Sequence, residues 1–442
     1  MAVKGKVNVR DAIVNSLMRT TNGSKFSNLE LDSALKKYEL SQKDRALFTA
    51  IYYGVIERRL TLDTIIGRLS SRPIEKIDPR TLEILRVALY QLRFMDRIPA
   101  HAAVSSAVDL TRKGGTDSFV NAVLRAYLRS PDDFEGEKMG LCGAELLSYK
   151  YSVPVWLVES WTRDYGYETA ERIAAESCSR PTVTLRVNTL RSSADEICRE
   201  ITEAGIECEA VEGWENAVRL LSSCPLEELS PLSDGRAYVQ DMASQYASAV
   251  LAPAPGETVL DVCACPGGKS FSAAMHMENK GRVLSFDLHR SKLSLIDKGA
   301  EKLGINIIET AERDGRIFAE EYDGIADRII CDVPCSGLGV ISKKPEIRYK
   351  DPGDINRLPE IQSAILENCS RYLKVGGTLV YSTCTLSRAE NDDVYDRFIS
   401  SSDCFVPEEF EVGGYRSLGG KLTLFPFDGT DGFFISKIKR VK

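Results

Sequence analysis

Histidine is scarce in this chain, in which only His101, His276 and His289 occur among 442 residues. Catalytic triads and most imidazole metal sites need a histidine close to its partner residues, so the scarcity of histidine disfavours histidine-driven catalysis. The chain also lacks an apolar run long enough to span a membrane. Its first twelve residues, MAVKGKVNVRDA, contain no hydrophobic signal core. We therefore expect a cytoplasmic protein that works away from the membrane.

Twelve cysteines are spread through the chain, as expected of free thiols in a reducing cytosol rather than of a disulfide framework. The spacings Cys263-x-Cys265 and Cys331-x3-Cys335 lack the paired knuckles of a zinc site, and no histidine lies nearby. The sequence therefore predicts no metal. Cys335 and Cys384 differ from the others, since each lies just past a predicted strand end in a turn rich in Pro or in Ser and Thr.

The net charge of −7 hides an asymmetry along the chain. Residues 1–130 hold 22 Lys and Arg against 13 Asp and Glu, an excess of nine positive charges, and the remainder carries an excess of sixteen negative charges. A basic part joined to an acidic body is typical of proteins in which one part faces nucleic acid. A helical surface that happens to be basic explains the same count, so charge alone leaves both interpretations open.

The first 130 residues carry apolar side chains at helical spacing. In TLEILRVALYQLRFM, for example, four leucines fall on one stripe, which predicts a helix with one face in a core. The stripe consists of Leu82, Leu85, Leu89 and Leu92. A polar stretch, SPDDFEGEKMGLCG, follows and is typical of a linker.

A strand–helix–strand pattern comes next. PTVTLRVNTL predicts a strand, SADEICREITEAGI an amphipathic helix and ECEAV a second strand, which suits a small α+β domain of ferredoxin-like character. Arg186 and Asn188 alternate with apolar residues on the first strand, so we expect them to face either RNA or solvent. From Gly235 onward strands alternate with helices, which predicts a parallel α/β sheet. These patterns divide the chain into a helical domain (1–130), a linker (131–149), a small α+β domain (150–234) and an α/β domain (235–442).

The stretch TVLDVCACPGGKS, residues 258–270, combines a short apolar strand, a glycine turn and the start of a helix. In such a βα unit the glycines let the backbone approach a ligand, and the helix N-terminus offers unpaired N–H groups. Two later predicted strands end in Asp287 and Asp332, and another runs into Cys384. Ligands bind beyond the carboxyl ends of the strands in open α/β sheets. The glycine turn, the two acids, Cys335 and Cys384 are therefore predicted to converge on one crevice.

Two kinds of cofactor compete for this turn. The segment GGKS, followed by an apolar strand that ends in Asp, is similar to the phosphate-binding loop and the acidic strand end of P-loop NTPases. However, the position five before Gly268 is Cys263 rather than glycine, and Pro266 removes an N–H that a phosphate cradle uses. An acid that closes the second strand, Asp287, suits hydrogen bonds to ribose hydroxyls. S-adenosylmethionine has a ribose and no phosphate, so it agrees with both observations and is the predicted cofactor.

Four motifs of the last domain resemble those of the RNA cytosine-C5 methyltransferases: CACPGGK, DVPCSGLGV with KKPEIRY, YSTCTLSRAEND and GTDGFFISK. In the first domain, IPAHAAVSSAVDL followed by SFVNAVLR resembles the NusB-like RNA-binding domain. Together these segments resemble the Sun/RsmB group, which acts on 16S ribosomal RNA, over nearly the whole chain. The resemblance implies a multidomain fold with an all-α N-terminal NusB-like domain, a small α+β ferredoxin-like insert and a C-terminal α/β Rossmann-like methyltransferase domain.

The chemistry of this family explains why two cysteines are useful. Carbon 5 of cytosine is not nucleophilic enough to attack a sulfonium methyl group until a thiolate adds at carbon 6. The resemblance assigns this covalent role to Cys384 and product release to Cys335, and it places Asp332 at the cytosine edge near N3. A free thiol has a pKa of about 8.5, so Cys384 must be partly deprotonated by its surroundings. Lys269 is the candidate source of positive charge.

The resemblance also implies two sets of binding residues. The cofactor is lined by Cys263, Ala264, Cys265, Pro266, Gly267, Gly268, Lys269, Asp287, Asp314 and Asp332. Within this set Asp287 is assigned to the ribose hydroxyls and Asp314 to the side of the adenine. The RNA backbone and a stacked base are assigned to Lys343, Lys344, Arg348 and Tyr349. Cys265 stands where the family has alanine, and because both residues are small we expect cofactor binding to survive.

The predicted function is methyl transfer from S-adenosyl-L-methionine to carbon 5 of a cytosine in 16S ribosomal RNA. The target base must leave its stack to reach Cys384, so a looped or remodelled RNA is the expected substrate. The same chemistry on a transfer RNA or on another ribosomal site is one alternative. A non-catalytic RNA-binding assembly factor is another, although a scaffold needs neither Cys335 nor Cys384.

Overall fold

The computed structural model describes residues 8–21, 26–222 and 224–442. Two pieces of the predicted helical domain, 1–7 and 22–25, lie outside these described residues. Over the described ranges, no helix combines the length and the apolar character that crossing a bilayer requires.

Contacts between residues divide the chain into two compact units, each discontinuous in sequence. The helical unit consists of Met1–Ser179 and Ile341–Tyr349, and the sheet unit consists of Arg180–Val340 and Lys350–Lys442. The first passage from one unit to the other thus falls after Ser179, whereas the sequence pattern placed its domain boundaries after residues 130, 149 and 234.

The helical unit is built from amphipathic helices around one core. Its described residues form α1 (Val9–Thr21), α2 (Ser27–Tyr38), α3 (Gln42–Glu57), α4 (Arg59–Leu69), α5 (Pro79–Phe94), α6 (Ala100–Thr111), α7 (Asp117–Arg129), α8 (Gly143–Tyr151), α9 (Val155–Tyr165) and α10 (Tyr167–Glu176).

Helix α5 shows how the sequence produces these elements. The Asp78 side chain caps it by accepting a hydrogen bond from the Thr81 amide (2.9 Å), and proline occupies its first position. Two leucines of the predicted stripe, Leu85 and Leu89, are fully buried, and the other two pack against the same core. Burial of Leu85 and of Leu89 stabilises the fold by about 1.5–3 kcal/mol each. The helical prediction for this segment is confirmed.

The predicted linker, 131–149, lies within this helical core. It contains a 3₁₀ helix, Pro131–Phe134, and most of α8. Phe134 and Tyr149 belong to the same cluster of buried residues as α5, and the Tyr149 hydroxyl donates to the Phe134 carbonyl (2.5 Å). The segment therefore differs from the predicted linker because two aromatic side chains anchor an otherwise polar stretch.

The return segment, Ile341–Tyr349, comes from the middle of the sheet unit's sequence and completes the helical unit. The side chain of Arg348 is fully buried. Its guanidinium donates hydrogen bonds of 2.9–3.2 Å to the backbone carbonyls of Glu57, Tyr151, Ser152 and Ser177. A guanidinium whose donors are used in this way inside the protein is not free to reach a phosphate, so the predicted RNA contact of Arg348 is corrected.

Tyr349 is also engaged within the helical unit. Its hydroxyl donates to the carbonyl of Ile56 (2.7 Å), and the guanidinium of Arg59 lies 3.7 Å from its ring centroid. One partner of the ring is therefore Arg59, and the stacking of an RNA base on Tyr349 remains a prediction. Lys344 is exposed and Lys343 is half-buried, and their RNA contacts remain predictions.

The sheet unit begins with a four-stranded antiparallel sheet in the order β2-β3-β1-β4. Its elements are β1 (Val183–Val187), α11 (Ala194–Glu203), β2 (Cys208–Ala210), β3 (Ala217–Leu220), α12 (Ser230–Ser233) and β4 (Ala237–Val239). Ser193 and Glu196 form a reciprocal capping box at the start of α11, and Ile197 and Ile201 are buried beneath the helix. The predicted strand–helix–strand pattern is confirmed.

Arg186 and Asn188 on and after β1 face neither RNA nor solvent. Arg186 is 1% exposed and Asn188 is 0% exposed. The Asn188 amide donates to the carbonyls of Gly235 (2.8 Å) and Leu303 (2.9 Å), and so joins the small sheet to the larger one. Period-two alternation identified the strand correctly, but it could not tell a polar side chain buried in an interface from an exposed one.

The larger sheet has eight strands within the described residues, in the order β10-β14-β9-β8-β5-β6-β7 with β13 paired to β14. The elements of this part of the chain are α13 (Met242–Leu251), β5 (Thr258–Asp261), α14 (Gly268–His276), β6 (Arg282–Asp287), α15 (Arg290–Leu303), β7 (Ile308–Glu312), β8 (Ala326–Asp332), α16 (Pro352–Ile355), α17 (Leu358–Ser370), β9 (Leu373–Thr383), α18 (Asp392–Ser401), β10 (Phe405–Pro407), β11 (Glu411–Val412), β12 (Tyr415–Arg416), β13 (Lys421–Leu424) and β14 (Phe433–Arg440). Strands β11 and β12 pair with each other in a separate two-stranded sheet.

Strand order in this sheet fixes where a ligand can bind. Strands β7, β6, β5, β8 and β9 are parallel neighbours in that order, while β14 joins β9 antiparallel. The chain builds outward from β5 to β7 and then returns to place β8 on the other side of β5. Such a reversal opens a crevice at the carboxyl ends of the strands, here the ends of β5 and β8.

Candidate active site

Asp261 closes β5 and ties the glycine turn to the sheet. It is 1% exposed, and its Oδ2 accepts a hydrogen bond from the Ser270 hydroxyl in the first turn of α14 (2.7 Å). The Ser285 hydroxyl on β6 donates in turn to the Ser270 oxygen (2.8 Å). Burial removes the solvent that would stabilise the charged carboxylate and raises the pKa of Asp261 to about 7. These bonds fix the point at which residues 263–267 leave the sheet.

Gly267 makes the turn after β5 tight. Its φ is +110°, and a Cβ added there would lie 2.5 Å from the Phe271 ring. Its amide donates to the Ala264 carbonyl (2.6 Å), and its own carbonyl accepts from the Phe271 amide at the start of α14 (2.8 Å). The Cys265–Pro266 peptide bond is cis. The turn therefore presents backbone atoms beside the crevice, as close approach of a ligand requires.

Asp287 ends β6 on the same side of the sheet and is 9% exposed. Its Oδ1 accepts a hydrogen bond from the His289 amide (2.9 Å). Among the described residues this is the only hydrogen bond to that carboxylate, so its other oxygen can accept from a ligand hydroxyl. The structure thus places Asp287 beside the glycine turn with acceptor capacity left.

A small pocket lies next to Asp287. Asp314, Gly315 and Ile317 line one side of it, and Phe286 contributes an aromatic ring. Arg316 donates to both oxygens of Asp314 (2.9 and 2.6 Å), and this hydrogen bonding holds the pKa of Asp314 below its ordinary value. Tyr322 and Tyr372 add aromatic surface to this lining, and Asn368 adds a polar group near Asp314.

Lys269 and Asp332 form an ion pair at the ends of β5 and β8. The ammonium nitrogen lies 2.6 Å from Asp332 Oδ2, and the Ser382 hydroxyl donates to Asp332 Oδ1 (2.7 Å). Burial by itself would lower the pKa of Lys269, but the charge of Asp332 and the hydrogen bond to it outweigh burial and raise that pKa. Lys269 is therefore a fixed positive charge inside the crevice.

Cys335 and Cys384 lie side by side, with their sulfur atoms 3.3 Å apart. The hydrogen bond from Cys335 lowers the pKa of Cys384 despite burial, and Lys269 lowers it further. The same hydrogen bond, together with burial, raises the pKa of Cys335 well above that of an ordinary thiol. Of the two thiols, Cys384 is therefore the one that ionises first, and Cys335 keeps its proton to higher pH.

The crevice brings together most of the predicted site residues. The turn 263–269, Asp287, Asp332, Cys335 and Cys384 all lie at the carboxyl ends of parallel strands. All twelve cysteines are free thiols. Within the ranges 8–21, 26–222 and 224–442, no group of three or more His, Cys, Asp and Glu side chains is arranged to hold a metal ion.

Sequence reasoning missed the residues behind the two cysteines. Ser382, which holds Asp332, and the buried pair Glu390 and Asn391 received no role, although both stretches belong to the motif YSTCTLSRAEND. An acid and an amide six and seven positions after Cys384 were the available signal. Nothing in the spacing alone indicated that these two side chains point back under the sheet.

Comparison with protein families agrees with this three-part architecture. Residues 248–439 match the family described as 16S rRNA methyltransferase RsmB/F, and residues 7–129 match the NusB family. Residues 153–227 match the ferredoxin-like domain of the RsmF/B-like methyltransferases. The predicted fold, an all-α NusB-like part, a small α+β insert and a Rossmann-like methyltransferase, is confirmed.

Full-length relatives carry the comparison further. The probable ribosomal RNA small subunit methyltransferase B of Bacillus subtilis is 38% identical, over 98% of this chain and 99% of the relative. The ribosomal RNA small subunit methyltransferase B of Klebsiella pneumoniae is 31% identical, over 99% of both chains. Among solved structures, the crystal structure of PH0851 is 26% identical and covers 100% of both chains with a TM-score of 0.83. With the cysteine pair, the glycine turn and these full-length matches together, the chain belongs to the RsmB/F family of ribosomal RNA methyltransferases.

Proposed function

We propose that this chain transfers the methyl group of S-adenosyl-L-methionine to carbon 5 of a cytosine in 16S ribosomal RNA, through an adduct of Cys384 at carbon 6. The observation that carries the proposal is the pair of thiols 3.3 Å apart. Cys335 and the Lys269 cation both favour the Cys384 thiolate, which is the form that attacks carbon. The names of the relatives, ribosomal RNA small subunit methyltransferases B, support the choice of RNA.

The residues at the crevice fit S-adenosyl-L-methionine. Gly267 keeps the turn tight through its positive φ and its contact with Phe271, and Asp287 retains acceptor capacity for a ribose hydroxyl. The pocket beside Asp314 suits the adenine. Pro266 lacks the N–H group that a phosphate cradle would use, and this cofactor has no phosphate. When bound, S-adenosyl-L-methionine supplies an electrophilic methyl group.

The proposed reaction begins at Cys384. Its sulfur donates an electron pair to carbon 6 of the cytosine, and the electrons of the C5–C6 double bond move to carbon 5. Carbon 5 is then nucleophilic and takes the methyl group. Product release reverses the first step: a water molecule takes the proton on carbon 5, the electron pair of the C5–H bond restores the C5–C6 double bond, and the S–C6 bond breaks so that Cys384 departs as a thiolate.

The neighbouring side chains have distinct tasks in this scheme. Asp332 hydrogen-bonds the cytosine edge near N3, and its position is fixed by Lys269 and Ser382. The positive charge of Lys269 stabilises the Cys384 thiolate. It therefore favours the attacking form of Cys384 and also makes Cys384 a good leaving group at product release. Cys335 assists the elimination that frees the product. It lies within 3.3 Å of the sulfur that must depart.

The helical unit is proposed to bind the RNA. Residues 1–130 carry an excess of nine positive charges, and phosphate contacts made by such side chains give an affinity that falls with salt. The match of residues 7–129 to the NusB family supports this role. We also propose that the protein works in the cytoplasm, where its twelve free thiols would stay reduced.

The test is methylation of unmodified 16S ribosomal RNA by the purified protein with labelled S-adenosyl-L-methionine, followed by nucleoside analysis. We expect the label in 5-methylcytidine, and bisulfite sequencing of RNA from cells with and without the protein to locate one responding site. Label in another nucleoside would overturn the proposed chemistry. A cytosine that responds in a transfer RNA instead would overturn the choice of substrate.

A further inference from the structure

Glu390 is a buried carboxylate beneath the active-site crevice. It lies just before α18 and is 0% exposed. Its two oxygens accept hydrogen bonds from the Ser336 amide (2.9 Å), the Ser336 hydroxyl (2.6 Å) and the Gln362 side-chain amide (3.0 Å). Because a buried carboxylate is stable only where donors replace its lost water, these contacts fix the position of Ser336, the residue after Cys335.

The same carboxylate orients a chain of hydroxyls. The Ser336 hydroxyl donates its single proton to Glu390 Oε1. The Thr385 hydroxyl, 2.6 Å from the Ser336 oxygen, must then donate to it. Gln362 extends the arrangement by donating also to the Pro334 carbonyl (2.9 Å). Glu390 thus holds residues 334–336, on both sides of Cys335.

Asn391 does the equivalent work for the other cysteine. It is 0% exposed, its side-chain oxygen accepts from the Thr383 hydroxyl (2.5 Å), and its amide nitrogen donates to the Thr385 carbonyl (2.9 Å). Thr383 and Thr385 flank Cys384 directly. Two consecutive residues therefore hold the two cysteine turns separately, and the Ser336–Thr385 hydroxyl bond joins the turns to each other.

We propose that Glu390 and Asn391 are positioning residues with separate tasks: Glu390 places Cys335 for product release, and Asn391 places Cys384 for attack. This inference rests on the proposed function, since it assigns each residue to one step of that reaction. Neither side chain hydrogen-bonds a thiol, and each holds the turn that carries one thiol. The charge of Glu390 also contributes to the raised pKa of Cys335. The 3.3 Å separation of the sulfurs is the result of both sets of contacts.

The test is the fraction of protein captured on 16S RNA as a covalent adduct that survives denaturing electrophoresis, with S-adenosyl-L-methionine present. Glu390→Gln substitutes a donor for one acceptor oxygen and leaves the backbone anchor intact, since the Tyr381 hydroxyl bonds the Glu390 carbonyl (2.6 Å). We expect this variant to accumulate adduct at least several-fold above wild type while turnover falls. Asn391→Ala should lose turnover with adduct below the wild-type level.

Glu257→Gln is the matched control. Glu257 is a carboxylate that accepts hydrogen bonds from Arg328 at the amino ends of β5 and β8, the end of the sheet away from the crevice. Its loss therefore affects stability without changing the surroundings of the thiols. It should leave the adduct fraction unchanged. If Glu390→Gln fails to bind the cofactor or to fold, Ser336→Ala is the milder variant, and it should raise the adduct fraction in the same direction.

The outcomes separate the two proposals. Adduct fractions in Glu390→Gln and Asn391→Ala that equal wild type, with only thermal stability reduced, would show that both residues are merely structural. Absence of any adduct in Cys335→Ser, together with absence of 5-methylcytidine from the wild type, would instead remove the proposed function itself. A raised adduct fraction in Glu390→Gln together with a lowered one in Asn391→Ala supports the separate positioning tasks, because a general loss of stability would not shift the two fractions in opposite directions.

Discussion

Replacing Cys335 by alanine is expected to make Cys384 a weaker nucleophile without touching Cys384 itself. The two sulfurs lie 3.3 Å apart, and the hydrogen bond from Cys335 is the largest of the effects that lower the pKa of Cys384. Alanine removes that donor. Burial and the charge of Asp332, which act in the opposite direction, remain. The pKa of Cys384 therefore rises, and its thiolate fraction at a fixed neutral pH falls.

The size of the effect follows from the kind of bond that is lost. A hydrogen bond to a charged group contributes about 1.5–3 kcal/mol, and about 1.4 kcal/mol changes an equilibrium tenfold. The thiolate population of Cys384 should therefore fall about tenfold to a hundredfold in Cys335→Ala. Cys335→Ser is the matched control, because the serine hydroxyl is again a donor at that position. In the serine variant the thiolate population of Cys384 should stay close to the wild-type value.

Alkylation kinetics measure this directly and require neither RNA nor cofactor. Wild type, Cys335→Ala and Cys335→Ser are treated with iodoacetamide across the neutral pH range, and mass spectrometry follows the peptide that contains Cys384. The rate for the alanine variant should fall at neutral pH and recover as the pH rises. Equal rates for alanine and wild type at every pH would refute the reasoning, provided that both proteins show the same thermal transition.

Three further predictions address catalysis, cofactor binding and stability. Cys384→Ser should lose methylation and covalent capture of RNA, whereas Cys335→Ser should accumulate an adduct on denaturing gels, and the reverse pattern would exchange their roles. Asp287→Ala should weaken S-adenosyl-L-methionine binding by roughly 1–3 kcal/mol in calorimetry, and an unchanged affinity would remove Asp287 from the site. The folded-state pKa of Asp261, about 7, lies above its unfolded value near 3.8, so its contribution to stability is fully present below that unfolded value and is lost as the pH rises from there through about 7. Asp261→Asn should abolish that loss, up to about 4 kcal/mol, in urea titrations repeated across pH, and parallel pH profiles for the two proteins would contradict it.

The sequence located the crevice because strand ends are local signals. Cys263, Asp287, Asp332 and Cys384 each follow an apolar run, and parallel strands deliver their carboxyl ends to one edge of a sheet. This prediction did not require knowing which strands are neighbours in the sheet. The pairing of Lys269 with Asp332 is different, since it depends on which strand lies beside β5, and that was visible only in the sheet order.

Burial of polar side chains was the part that sequence could not supply. Arg186, Asn188 and Arg348 all stand among polar or alternating neighbours, and all are buried in the structure. The side chains of Asn188 and Arg348 donate to backbone carbonyls from distant segments, such as the Asn188 bond to Leu303, which no local pattern encodes. The burial of Glu390 was not predicted for the same reason, because a glutamate is ordinarily a surface residue.

The return segment, Ile341–Tyr349, changes how this protein can be cut and recombined. Nine residues that stand inside the methyltransferase part of the sequence belong physically to the helical unit, and the chain passes between the units after Ser179, Val340 and Tyr349. A cassette that exchanges only residues 1–179 between relatives would pair Arg348 of one parent with backbone carbonyls supplied by the other. A workable chimera must therefore carry both pieces from the same parent, and the helical unit and the return segment are expected to covary as one inherited module.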